Sequence, residues 1–123
     1  MRFKIDTREK FHAITIQEPA LAANMTAELS NYLLNKHQNG CKNVVLNLQD
    51  IQTVDNAAAE SLVKLQQEYY EKNASFVICC LNKEVEDFLD KEGLLEMMNV
   101  TATETEAGDI VLLEEVEREL LGD

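Results

Sequence analysis

Asn43-Val44-Val45-Leu46-Asn47-Leu48, followed after six residues by Asp55-Asn56-Ala57-Ala58-Ala59-Glu60-Ser61-Leu62 and on to Tyr70, is the stretch whose reading decides the fold. The first segment is short, β-branched at its start and mostly apolar, as a buried strand requires. Asp55 and Asn56 are both good helix N-caps. Ala58, Leu62, Leu65 and Tyr69 then recur at helical spacing, which predicts a helix from about Ala57 to Glu71. The capping role is assigned first to Asn56, worth typically ~1 kcal/mol over Ala, with Asp55 able to cap or to fix the loop. A strand that feeds a capped helix leaves free backbone N–H groups at its C-terminal end, where open α/β sheets place their sites. The turn itself holds no nucleophile, no metal-ligand set and no glycine-rich cradle. It points to recognition rather than catalysis.

Working outward, Phe3-Lys4-Ile5-Asp6-Thr7 alternates apolar and polar residues and reads as a strand. Phe11 to Ile16 reads as its hairpin partner across the turn Arg8-Glu9-Lys10, and Pro19 ends that strand. Leu21, Met25, Leu29, Tyr32 and Lys36 follow at helical steps, the first four forming the apolar face, and Asn39-Gly40 is a helix stop. Ala74 to Leu81 is a nearly continuous apolar run, suited to a covered central strand. Val85, Phe88 and Leu89 give the face of a short helix closed by Gly93, and Asn99 to Thr103 reads as a last strand. Ala107, Ile110, Leu113, Val116 and Leu120 give a C-terminal helix whose stripe is expected to face the core. Gly108 weakens the first turn of that helix by roughly 1 kcal/mol relative to Ala. The expected architecture is a single α/β domain over residues 1–123, with a mixed sheet of four or five strands and about four helices. The helices near Leu21, Ala57 and Val85 would lie mainly on one face, leaving the other to the C-terminal helix or a partner.

A chain of 123 residues with 46% hydrophobic residues is sized and composed for one folded domain. Its single proline and four dispersed glycines mark no linker. No apolar run approaches membrane-spanning length, and the bases Arg2, Lys4, Arg8 and Lys10 are not followed by the apolar segment of a signal peptide. A cytoplasmic location is expected. The net charge of −12, from 23 acids and 11 bases, disfavours nucleic-acid backbones and anionic membranes, and no direct membrane insertion is expected. Between Glu104 and Asp123 eight acids face one base, so a partner with a basic groove would be drawn to that end. Cys41, Cys79 and Cys80 are an odd set without zinc-like spacing. Cys79 and Cys80 are expected on opposite faces of one strand, as small buried side chains. His12 and His37 fall on different elements and read as surface or half-buried side chains. No nucleotide-binding, triad or metal-helix motif appears, so no metal, no cofactor and no enzymatic activity are expected.

The turn and its surroundings resemble the STAS domain of bacterial anti-sigma-factor antagonists, whose signature is a hydrophobic strand, a polar stretch and Asp-Ser-Ser-Gly opening a helix. The matching residues are Asp55-Asn56-Ala57-Ala58. Phe3 to Ile16 matches the opening hairpin, Leu21 to His37 the first helix and Ser75 to Leu81 the strand after the motif helix. Asn82 to Leu89 with Glu92-Gly93-Leu94 matches the third helix and its small-residue-Gly-Leu end. The resemblance implies a partner-binding surface at Asp55, Asn56, Ala57, Ala58, Glu60 and Ser61. The implied partner is an anti-sigma factor or related kinase-like protein, or another STAS domain. It also implies control by phosphorylation of the serine that follows the aspartate. Asn56 stands at that position, and its amide cannot accept a phosphate. Ser61 and Thr53 are the nearby hydroxyls that could take over, although an ordinary packing or surface role is the simpler reading for each. Pro19-Ala20-Leu21-Ala22 replaces the family's Gly-x-Leu-Asp, so the acid beside the phosphosite is missing too. Two other functions fit: a STAS scaffold or accessory subunit of a lipid-transport ATPase, and a small-ligand or nucleotide-binding protein. The second would use the helix N-terminus at Asn56, with polar groups converging from Glu18 and Asn82.

Overall fold

Alternation in the first sixteen residues yields a hairpin, in the computed structural model that describes residues 1–38 and 43–121. β1 (Phe3–Thr7) pairs antiparallel with β2 (His12–Ile16), and Arg8 N donates to Phe11 O at 2.8 Å to close the turn. β4 (Val44–Asn47) and β6 (Phe76–Cys79) are the short apolar strands, and β7 (Val100–Thr101) is the last. The five-stranded sheet runs in the order β1-β2-β4-β6-β7, parallel except at the hairpin. A two-residue pair of parallel strands, β3 (Ala20–Leu21) and β5 (Thr53–Val54), stands apart from it. Among the described residues, the mixed five-stranded sheet and four α-helices agree with the sequence reading.

Register explains the layering. Ile5, Ile14, Leu46, Ile78 and Val100 lie opposite one another across successive strands. They face the main core with Leu29 and Leu33 of α1 (Ala23–Gln38), Ala58, Leu62 and Tyr69 of α2 (Asn56–Glu71), and Val85 and Leu89 of α3 (Lys83–Lys91). Because side chains alternate along a strand, Val45 and Val77 point the other way. There they meet Ala107 and Val111 of α4 (Glu104–Leu120) in a second, smaller core. Three helices therefore cover one face and α4 the other, as anticipated.

Four expectations need correction. Leu21 belongs to β3 rather than to the first helix, because its backbone pairs with Val54. The helix begins at Ala23. Cys79 and Cys80 do not point apart: Cys80 adopts φ 65°, which breaks the strand alternation and brings the two Sγ atoms to 3.4 Å. Asp55, not Asn56, is the cap of α2.

The fourth concerns α4. Its buried face is Ala107, Gly108 and Val111, whereas Leu113, Val116 and Leu120 are 61%, 51% and 81% exposed. The reverse face of the sheet is built of small and polar residues, so the helix approaches it with its smallest side chains. A Cβ on Gly108 would stand 3.0 Å from Cζ of Phe11, so glycine here permits the close approach of the Phe11 ring. Further along, the inward positions are polar because the sheet offers polar partners. Asn43, 1% exposed, donates through Nδ2 to Lys10 O (2.8 Å) and Glu115 Oε1 (2.9 Å), while its Oδ1 accepts from Ser75 N (2.8 Å). The Ser75 hydroxyl donates to Glu114 Oε1 (2.6 Å) and accepts from Arg118 (2.7 Å). The Tyr70 hydroxyl also donates to Glu114 (2.7 Å) and accepts from Asn99 Nδ2 (2.6 Å). The expected stop at Asn39-Gly40, Cys41, and the side chains of Lys36 and His37 lie outside the described residues.

Candidate functional site

The turn that opens α2 is held from four sides. Pro19 O accepts from Gln52 N (2.7 Å) and Thr53 N (3.2 Å), and Leu21 O accepts from Asp55 N (3.2 Å). The entry to α2 is thus tied to the entry to α1 by the β3–β5 pair. Asn82, the N-cap of α3, donates through Nδ2 to Ile51 O at 2.7 Å and accepts from Val85 N at 2.9 Å. Asn47 Oδ1 accepts from Gln49 N at 2.9 Å where the loop leaves the sheet. Buried Ile51 and Val54 anchor the loop in the core.

The first turn of the helix divides its residues by role. Asp55 Oδ1 accepts from Ala58 N at 2.7 Å, and its carbonyl accepts from Ala59 N at 3.0 Å. The N–H groups of Asn56 and Ala57 have no intrahelical acceptor, as at every helix start. Asn56 is exposed, with its amide donating to Glu60 Oε1 at 3.3 Å. Ala57 and Glu60 are exposed beside it, whereas Ala58 is 0% exposed and faces the core, out of reach of a partner. Ser61 is half-buried, donates to Ala57 O at 3.0 Å, and lines a groove of about 180 Å³ between α1 and α2 with Thr26, Ser30 and Lys64. Thr53 is exposed on β5. The structure therefore brings Asp55, Asn56, Ala57 and Glu60 onto one rigid, solvent-facing corner, with Thr53 just before it in the chain.

The polar groups proposed to converge on a ligand are engaged elsewhere. Glu18 accepts from Arg2 N at 2.8 Å and faces the Arg2 guanidinium at 3.8 Å. Asn82 is occupied by its cap and by Ile51. Sequence reasoning missed the β3–β5 clamp and the reach of Asn82 to the β4–β5 loop. The Asn82 cap itself had a signal: Asn followed by acids at Glu84 and Glu86 is a helix-start pattern.

A strand, a clamped polar turn and a capped helix thus follow one another inside a hairpin-led mixed sheet. The model of the STAS domain matches residues 2–107. The chain belongs to the STAS domain family. Solved structures agree on the fold: TM1081 of Thermotoga maritima has a TM-score of 0.78 at 16% identity, over 90% of this chain and 89% of that one. RsbS of Moorella thermoacetica, solved as a serine-to-glutamate variant, has a TM-score of 0.74 at 17% identity, over 96% and 99%. The anti-sigma-factor antagonist SpoIIAA in its unphosphorylated form has a TM-score of 0.70 at 15% identity, over 89% and 96%. A search of curated proteins by sequence finds no match. Among the described residues, no helix of this STAS domain is long and apolar enough to cross a membrane.

Proposed function

We propose that this STAS domain is a non-catalytic protein-interaction module of the anti-sigma-factor-antagonist kind, working in the cytoplasm in partner switching that regulates transcription. It docks an anti-sigma factor or related kinase-like protein through the corner formed by Asp55, Asn56, Ala57 and Glu60. Asn56 keeps that corner permanently in the unmodified state. The observation that carries this reading is the exposure of Asn56 on the first turn of a helix whose backbone is fixed from β3, β5 and α3. A phosphate at such a corner adds about −1.5 to −2 charges and a bulky group to a binding surface. An amide of similar size to serine leaves the surface neutral and cannot be so modified.

Incubation with a copurifying kinase-like partner and ATP, followed by intact-mass measurement, tests the permanently competent state. The mass should not change. Phosphate on Thr53 or Ser61 would show that the switch has moved to another hydroxyl, and would overturn this part of the reading. Copurification of a transport ATPase in place of a kinase-like protein would favour the accessory-subunit role.

A further inference from the structure

The outer face of α4 carries an apolar stripe that the fold does not use. By helical geometry Leu113, Val116 and Leu120 fall within an arc of about 60° directly opposite the buried Ala107 and Val111. Leu112 adjoins them at 44% exposure. Isolated exposed leucines are ordinary, but four large apolar side chains gathered on one side of a helix are a surface built for contact. A hollow of about 260 Å³ adjoins the N-terminal end of the stripe; its lining mixes Phe11, Gly108 and Leu112 with the charged Arg8, Glu104 and Asp109. The stripe lies beyond residue 107, where the family match ends.

Charge selects the occupant. Glu106, Asp109, Glu117 and Glu119 are all exposed on this helix, and its base in that stretch, Arg118, turns inward to Ser75 and Glu115. A second copy of the same face would set these carboxylates against their own kind, which is repulsive. An anionic membrane surface is disfavoured for the same reason. We propose that the outer face of α4 docks a cationic amphipathic helix of another protein, its apolar side chains on Leu113, Val116 and Leu120 and its Lys or Arg residues against the flanking acids. This surface belongs to α4 and not to the α2 corner, so it stands or falls independently of the function proposed above.

The test is calorimetric titration of the full chain with a synthetic helical peptide bearing Leu on one face and Lys on the other. A control peptide has Ser in place of Leu. The Leu/Lys peptide should bind at least about tenfold more tightly than the control. The Leu113→Gln/Val116→Gln/Leu120→Gln variant should lose at least about tenfold in affinity without a fall in melting temperature, since none of the three side chains is in a core and Gln keeps the helix propensity. Glu106→Gln/Glu117→Gln should weaken binding and flatten its salt dependence. Equal binding by the parent and the triple variant would overturn the proposal. So would a parent dimer that the triple variant dissociates, or binding to phosphatidylserine vesicles that the triple variant loses.

Discussion

The carboxylate of Asp55 accepts the backbone N–H of Ala58 at 2.7 Å, and this bond frees its neighbour Asn56 from any duty in holding the helix. Sequence preference favours both residues as caps, but only one can precede the first helical residue. The β3–β5 pair settles which, by fixing Asp55 N on Leu21 O.

Asp55→Ala should therefore cost about 1 kcal/mol of unfolding free energy. Asn56→Ala, an exposed change away from the core, should stay within about 0.5 kcal/mol of the parent. Urea titrations of the two variants distinguish the assignments, because equal losses would return the capping role to Asn56.

Asn43, itself buried, joins the hairpin turn, the residue before β6 and α4 through three hydrogen bonds. Asn43→Ala leaves the Ser75 N–H and the Lys10 carbonyl without their partner, a loss of about 2 kcal/mol or more. Asn43→Asp sets a second carboxylate beside Glu115 and should also destabilise. A loss under about 0.5 kcal/mol in either variant would show that α4 is not held through this residue.

Burial pushes the Tyr70 hydroxyl well above its usual 10.0, and its hydrogen bond to Glu114 and that group's charge push the same way. The folded state thus holds a proton that the unfolded state releases. The associated stability is complete below pH 10 and is lost as pH rises from there toward the folded value. The buried thiol of Cys79 is shifted in the same direction, first by desolvation and then by Cys80. Stability should fall on the alkaline side. The gap between the parent and Tyr70→Phe, measured by denaturation from neutral pH upward, should narrow beyond pH 10. A gap that stays constant would show that Tyr70 ionises as readily folded as unfolded.

Much of this fold was legible because strand and helix periods differ so sharply. The apolar runs at Val44–Leu48 and Phe76–Cys79 and the helical spacing from Ala58 to Tyr69 could be little else. The element order around Asp55 carried the family. What escaped was non-local. A two-residue strand such as Thr53–Val54 has no period to detect and exists only because Pro19 to Leu21 lies beside it. On α4 two sets of residues compete at helical spacing. The more apolar set, Leu113, Val116 and Leu120, lost to the one whose small and polar members fit the sheet's reverse face. Position within the site was equally hidden: Ala58 and Asn56 look alike as members of a turn, yet one is in the core and the other in solvent.

The most direct test of the proposed interface is the affinity of the copurifying kinase-like partner for Asn56→Asp, measured beside its melting temperature. Asp is nearly isosteric with Asn, and a negative charge at a helix N-terminus is favourable to the helix. The variant gives up the Asn56–Glu60 hydrogen bond and sets a like charge beside Glu60, a cost of about 0.2–0.5 kcal/mol that the dipole offsets. It should melt close to the parent yet bind at least about tenfold more weakly, with Asn56→Ser retaining affinity. Parent-like affinity in a normally folded Asn56→Asp would contradict an interface at this corner.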